Sequence, residues 1–591
     1  MKNKPAIGID LGTTYSCIAR LNEHGHPVTI PNQEGELATA SVVFFEDDIP
    51  IVGTEALRNS IAQPDRVVSF AKRHMGDSGK YWKIGKNRYT PVHISGLIIR
   101  KLVSAAKEAY GDFNEAVITV PAQFSDAQRH ATMAAGHAAG LDRIEMINEP
   151  IAAALCHVLG NEGLAFTELA IDQTLLVYDL GGGTLDLAVV RYSSNQVKVI
   201  ASDGDLQLGG LDWTNVLAQI AAERFQADFG EDPRNDAQSL QFLILEAEQA
   251  KRSLSVRPRA AMTVQHGGNR RTYQITQTEF EEASQPLVAR CEVITRRILK
   301  ANNLGWAKVD VVLTTGGASR MPMIRESLQK LSGRTLNTSL SPDQSIAHGA
   351  ALYAGMLRQS QPIPDVNCEI SIRRPNVSLQ SICSRSLGIL IRDEETGQLV
   401  PHYLIPANSP LPASQTHVFG TAADNQTRVH VQIVESGADE DLPVTLLGNC
   451  RISDRPPNLP EGSEVEVTIS YDHQARVHVS ARELRSGKSA ETEIMRQEHI
   501  SDAPELIPEP APEPAPRRVE KNPPPPSDPA MQLTPELNAL LNSVDQPSDD
   551  GPPKKKPPRA PDATIRATPA PKPPAGPRSG NQYDTRRPPK P

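Results

Sequence analysis

The alternation of apolar and polar positions divides the chain into three regions. From residue 1 to about 358, short apolar runs alternate with segments of helical period, as in an α/β fold. In TLLVYDLGGGTLDLAVV (174–190), Leu175, Leu176 and Val177 predict a buried strand, and Leu185, Leu187 and Val189 predict a second strand leading away. EAVITVP (115–121) predicts a strand closed by proline. Residues 94–109, 125–139 (opened by a Ser125 cap) and 240–254 predict helices, and a further helix is expected from Trp213. From about 385 to 498 the period falls to two, in THVFGT, RVHVQIVE, EVEVTIS and ARVHVSARE. That pattern predicts an antiparallel β-sandwich.

From Ser501 on the periodicity stops. This stretch holds 26 of the 50 prolines, and Tyr583 is its only aromatic, so no core can form. A disordered, Pro-rich tail is therefore expected over 499–591. Within it, TPELNALLNSV (534–544) places Leu537, Leu540, Leu541 and Val544 on one helical face behind a Thr534 cap and Pro535. It reads either as a docking helix or as a transient one, since eleven residues are marginal alone.

The chemistry is concentrated in two turns. Asp179 arrives as the chain enters Gly181, Gly182 and Gly183, and Thr184 and Asp186 follow. Glycines without Cβ let backbone N–H groups close on an anion, while the carboxylates can hold a metal, so the loop suits a Mg²⁺-bound phosphate. AIGIDLGTTYSCIA (6–19) repeats the plan 169 residues earlier with Asp10, Gly12, Thr13 and Thr14. The recurrence predicts a duplicated domain whose two phosphate hairpins face each other across a cleft; two unrelated hairpins are the plain alternative. A third glycine turn, VVLTTGGASRMP (311–322), would let a flat ring lie on the backbone. Residues Glu248, Lys251, Arg252 and Ser255 share one helix face, which is either a ligand wall or a solvated charged face.

Six scattered cysteines without a CxxC pair, and no leader before the first strand, predict a reducing cytoplasmic setting. No run reaches the length of a membrane span. Net charge is −9, split between an end from Gly551 at +8 and the remainder at −17. No aromatics interleave the basic residues of that end, so nucleic acid is not expected as a partner.

Taken in order, VITVPAQFSDAQRHAT, INEPIAAAL, VYDLGGGTLD, LGGLDW, EQAKRSLS, TGGASRMP and SPDQSIAHGAALYAG resemble the nucleotide-binding domain of the DnaK-type heat-shock protein 70 chaperones over residues 5 to about 358. The resemblance implies an actin-like ATPase fold of duplicated ribonuclease H-like lobes over 1–358, a linker over 359–384 and a substrate-binding sandwich over 385–498. It implies ATP or ADP with Mg²⁺, and K⁺ as a second candidate cation. Asp10 and Asp179 would hold the hydrated metal with Glu149 and Asp186 near it, and Lys72 would position the attacking water. Thr13, Thr14 and Thr184 would meet the phosphates, backed by Gly12 and by Gly209 and Gly210. The nucleoside would lie between Glu248, Lys251, Arg252 and Ser255 on one side and Gly316, Gly317 and Arg320 on the other, with Asp343 at its edge and Tyr15 near the sugar. Pro121 and Arg129 match positions that pass nucleotide state to the second domain. HVFGTAADNQTRVHVQIVESG maps Phe419, Val429 and Val431 onto peptide-groove walls, with Ile389 beside them, though a plain sandwich core would bury them equally.

The implied partners are unfolded or extended polypeptides, with a J-domain cochaperone and a nucleotide-exchange factor as candidate helpers. Several positions depart from the family. Ala318 replaces a hydroxyl residue near the base, which predicts weaker nucleotide binding. Ser378, Gln380 and Ser381 dilute an apolar linker, which predicts feebler docking. Arg392, Asp393, Glu394 and Glu395 replace small residues over the groove, Glu145 stands where a base is usual, and no helical lid follows residue 500. Two readings follow: an ATP-driven chaperone with transient clients, or a slow nucleotide-sensing scaffold for dedicated partners. A sugar or metabolite kinase has no evident small-substrate pocket.

Overall fold

The computed structural model describes residues 5–160, 172–193, 196–359, 378–393, 396–436, 444–453, 458–472 and 477–493. The expected tail over 499–591 with its 534–544 segment, Cys368, Glu394, Glu395 and most of the 359–384 linker lie outside the described residues.

Two α/β lobes share one strand plan. In the first, β1 (Ile7–Asp10), β2 (Tyr15–Leu21) and β3 (Pro27–Ile30) form an antiparallel meander, and β1 pairs in parallel with β4 (Glu115–Val120), which pairs with β5 (Arg143–Asn148). In the second, β6 (Gln173–Leu180), β7 (Leu185–Ser193) and β8 (Gln196–Asp205) repeat the meander, and β6 pairs in parallel with β9 (Val311–Thr315), followed by β10 (Leu336–Asn337). The duplication inferred from the two Asp-Gly-Thr turns is thus a duplication of topology.

Glycines set how closely the lobes approach. Helix α1 (Glu149–Leu159) crosses α2 (Ser345–Gln359) so tightly that a Cβ on Gly349 would lie 1.8 Å from the Ala152 carbonyl oxygen. The crossing joins the lobes through an apolar cluster that includes Leu155, Val177 and Ala350.

The helix expected from Trp213 begins earlier, at Gly210, and runs to Phe229. Glycines there read as breakers, but the Gly209 N–H donates to Asp212 Oδ2 at 2.7 Å and caps the first turn. The helix expected over 240–254 likewise starts at Ala237, where Asp236 accepts from Ser239 N–H at 2.8 Å.

The period-two region forms two four-stranded antiparallel sheets over one core that includes Leu387, Ile433, Val467 and Ile469. The end of the linker does not hang free. Ser378–Gln380 joins the second lobe as a parallel edge strand on β8, with Leu379 half-buried against the core and Ile382 3% exposed. Ser378 is exposed, while Leu379 and Ile382 supply apolar contacts to the second lobe. Among the described residues no helix is long and apolar enough to cross a membrane.

Candidate functional site

Both hairpin tips open into one cleft of about 810 Å³ between the lobes. All the residues predicted to meet phosphate, metal or nucleoside line it except Gly209 and Asp186, which lie immediately behind its wall. Pro121, Arg129 and the sandwich residues lie elsewhere.

In the first loop, Asp10 Oδ1 accepts from Thr119 Oγ1 at 3.1 Å, and Gly12 N–H donates to Ser16 Oγ. Gly12 must be glycine, since a Cβ there would sit 1.9 Å from the Tyr15 carbonyl oxygen. The second loop faces it so closely that Cβ atoms on Gly182 and Gly183 would meet the Thr14 and Thr13 side chains at 2.6 and 2.3 Å. Gly316 holds φ +78° under the strand end, where a Cβ would strike the Leu180 carbonyl oxygen at 2.3 Å.

Lys72 and Glu149 form a buried ion pair at 2.5 Å between the loops. Lys72 comes from the 3₁₀ turn Ala71–His74, entered through Phe70 at φ 61° and ψ 26°. A non-glycine residue held in the left-handed region is strained, and such strain collects at functional sites. Glu149 is the first residue of α1, where the positive end of the helix dipole favours its charge.

Electrostatics mark this as a cation site. Burial, then the Glu149 charge, raises Asp10 and Asp186 to about 7, and burial with the same neighbouring carboxylates raises Asp179 well above the usual range. Burial works against the Lys72 charge, but Glu149, Asp10 and Asp186 more than offset it and raise its pKa. Asp179 Oδ1 and Asp186 Oδ2 are buried and find no hydrogen-bond donor among the described residues. No three carboxylate, histidine or cysteine side chains among the described residues converge closely enough to chelate an ion by themselves. This donor set fits a hydrated Mg²⁺ whose remaining ligands are water and phosphate oxygens.

The cleft has the size and the donor groups that a metal-bound polyphosphate would need. A family model described as Hsp70 protein matches residues 6–83 and 78–507. The chain belongs to the Hsp70 family. Membership implies an ATP-dependent chaperone with Mg²⁺ and polypeptide substrates.

Against the Hsp70 expectations, the nucleoside wall holds one surprise. Lys251 Nζ donates to Gly210 O (2.8 Å), Thr214 Oγ1 (2.9 Å) and Glu248 Oε2 (2.6 Å), so all three of its protons are used within the protein. Its place is to brace the first turn of the Gly210–Phe229 helix. Arg252 reaches across the cleft to Tyr15, donating to its hydroxyl at 3.3 Å. Arg320 pairs with Asp343 at 2.8 Å on the far side. Ala318 is buried, and the neighbouring Ser319 does not replace the missing hydroxyl, because its Oγ donates to Gly316 O at 2.7 Å.

Arg129 donates to Asn148 Oδ1 (2.8 Å) and to the Ala122 and Phe124 carbonyls, joining the residue before Glu149 to the segment after Pro121. That segment links the cleft to the sandwich: Ala122 N–H donates to Asp186 Oδ1 at 2.9 Å, and the Gln123 carbonyl accepts from Arg385 at the start of the sandwich. In the sandwich, Val431 and Ile389 are core residues, whereas Phe419 and Val429 are half-buried.

Sequence reasoning missed Thr119 and Ala122, and it saw Arg73 beside Lys72 in VVSFAKRHM (67–75) without giving it a role. Thr119 lies one residue beyond the β1–β4 pair Ile9↔Ile118, so strand register was the signal available for it. Ala122 acts through its backbone and leaves no signature in residue type.

Proposed function

We propose that this chain is a DnaK-type chaperone that hydrolyses ATP to ADP and phosphate and couples hydrolysis to transient binding of unfolded or partner polypeptides. The observation that carries this reading is the pair of opposed Asp-Gly-Thr loops with the Lys72–Glu149 pair buried between them. Asp10, Asp179 and Asp186 would hold Mg²⁺, which when bound neutralises charge on the β- and γ-phosphates. Lys72 orients the water and stabilises charge that develops on the γ-phosphoryl group, and Glu149 fixes the Lys72 ammonium. Thr13, Thr14 and Thr184 offer hydroxyls to the phosphates. Pro121 and Arg129, through the Ala122 and Gln123 contacts, carry the state of the cleft to Arg385 and the sandwich.

Steady-state ATP hydrolysis by the full chain, with and without unfolded peptides, tests the reading. Lys72→Ala is expected to lower turnover roughly 10²- to 10³-fold, the usual loss for one electrostatic group of this type. Unchanged turnover would remove Lys72 from the mechanism. Peptide stimulation is the expected sign of coupling.

A second reading, a slow nucleotide-sensing scaffold, draws on the turn above the groove. Asp393 Oδ1 accepts from Thr396 N–H and Oγ1 at 2.8 and 2.7 Å, and Arg392 donates to Gly397 O. A turn capped on itself with polar residues offers little apolar cover to a greasy peptide. Slow turnover indifferent to peptides would favour this reading.

A further inference from the structure

The carbonyls of Gly181, Gly182 and Gly183 all accept hydrogen bonds. Gly210 N–H donates to Gly181 O and Leu211 N–H to Gly182 O, both at 2.9 Å. Both donors belong to the same lobe as the loop. The third carbonyl is held differently: Gly183 O accepts from Arg73 Nε at 3.1 Å and Nη2 at 2.8 Å, and Arg73 belongs to the opposite lobe.

In a planar trans peptide, N–H points opposite to the preceding C=O. Holding the Gly183 carbonyl toward Arg73 therefore fixes the Thr184 N–H in the opposite direction. The guanidinium is itself anchored. Its Nη2 also donates to Asp212 Oδ2 at 2.6 Å, the same oxygen that caps the helix through Gly209 N–H. A planar fork can serve a carbonyl and a carboxylate together, which an ammonium does less well. Arg73 leaves the same strained turn as Lys72, beyond Phe70 at φ 61°.

We propose that Arg73 is a positioning residue that makes the orientation of the Gly183–Thr184 peptide depend on closure of the two lobes. When the lobes part, Gly183 O loses its donor and the Thr184 amide its fixed direction. When they close, one cation locks the loop and the helix cap together. Lys72 and Arg73 then divide the work of one turn: the first faces the reacting phosphate, and the second faces away and sets the loop that receives it. This inference rests on the ATPase reading.

The test compares parent, Arg73→Ala, Arg73→Lys and Asp212→Asn as full chains, by single-turnover ATP hydrolysis and by nucleotide affinity. Arg73→Ala is expected to lower kcat about 10- to 100-fold, the scale on which misplacement near the reacting centre acts, while ATP affinity changes by less than about threefold because the other phosphate contacts remain. Arg73→Lys falls between, keeping a donor but not the fork. Asp212→Asn, which keeps an acceptor for Gly209, costs less than Arg73→Ala, and the double variant Arg73→Ala with Asp212→Asn is no slower than Arg73→Ala alone. Millimolar methylguanidinium restores part of the Arg73→Ala rate, which a merely structural residue would not allow.

Parent-like kcat in Arg73→Ala overturns the proposal, and so do additive losses in the double variant without guanidinium rescue. If Arg73→Ala does not fold, Arg73→Lys and Asp212→Asn decide by the same kcat-against-affinity split. A parent that hydrolyses no ATP overturns the ATPase reading and this inference together, whereas a hydrolysing parent matched by Arg73→Ala overturns this inference alone.

Discussion

The two Asp-Gly-Thr loops descend from one plan but are held in different ways. The first is fixed within its own lobe, where Ser41 Oγ donates to Gly12 O at 2.8 Å and Ser41 N–H to Thr14 O at 2.9 Å. The second depends in part on Arg73 from across the cleft. Equal topology therefore does not give equal rigidity. One loop is a fixed wall, and the other has one of its three glycine carbonyls held from the opposite lobe. An enzyme whose cleft must open to exchange nucleotide gains from that asymmetry, because the loop that loosens can release phosphate while the other keeps its form.

The largest test of this contrast uses the glycines. In Gly12→Ala the new Cβ meets a backbone carbonyl at 1.9 Å, so the chain itself must move. Nucleotide binding is expected to be lost at any practical concentration, with a lowered melting temperature. In Gly183→Ala the obstacles are the Oγ1, Cγ2 and Cβ atoms of Thr13 at 2.3, 2.7 and 2.8 Å, so the facing side chain must draw back while the loop's own backbone is not struck. Overpacking of this kind costs about 1–3 kcal/mol, so calorimetry should show nucleotide affinity down roughly 10- to 100-fold with a melting temperature near that of the parent. Equal damage to stability in both variants would erase the distinction between wall and moving loop.

A second test asks whether the loops share one cation. Asp10 belongs to the first and Asp186 to the second, yet both are raised to about 7, first by burial and then by Glu149. Carboxyls raised to about 7 are only partly ionised in the nucleotide-free chain at neutral pH. Their contribution to stability is complete below the ordinary carboxylate range and is lost as pH rises through about 7. The melting temperature without nucleotide is expected to fall as pH rises from about 4 to about 7, and Mg²⁺·ADP should flatten that fall. Because the cation must displace these protons, Mg²⁺·ADP affinity should rise about tenfold for each proton displaced between about pH 6 and 8, with proton uptake by the buffer. Titration calorimetry in buffers of different ionisation enthalpy measures both. Affinity independent of pH would mean that these carboxylates do not meet the ion.

Much of this was legible in the sequence, and what was not has a physical cause. Asp10, Asp179, Lys72 and Glu149 stand in short motifs whose residue types carry the chemistry, and the strand plan followed from periodicity. The sequence could not disclose that Lys251 is consumed by Gly210, Thr214 and Glu248, since three partners on two helices meet only after folding. Arg73 was visible as a cation beside Lys72, but its partners are a carbonyl 110 residues away and a helix cap 139 residues away. The groove was similarly ambiguous. Alternation told inward from outward, but not that the inward positions Val431 and Ile389 lie in a closed core while Phe419 stays half-open.

The smallest test concerns the other tie across the cleft. Arg252 lies with its guanidinium 5.3 Å from the centre of the Tyr15 ring and donates to the Tyr15 hydroxyl at 3.3 Å, so the first loop has its own link to the opposite lobe. Unlike the Arg73 contact, this one holds a side chain beyond the loop and no backbone carbonyl within it. Arg252 is exposed, and its hydrogen bond is long. Tyr15→Phe removes the hydroxyl and keeps the ring face, leaving the cation–π attraction in place. An exposed contact of this kind is worth under about 1 kcal/mol, so ADP should dissociate no more than about threefold faster, with kcat unchanged. If Tyr15→Phe instead lowered kcat as far as Arg73→Ala, both loops would depend on closure, and the first could no longer be regarded as the fixed wall.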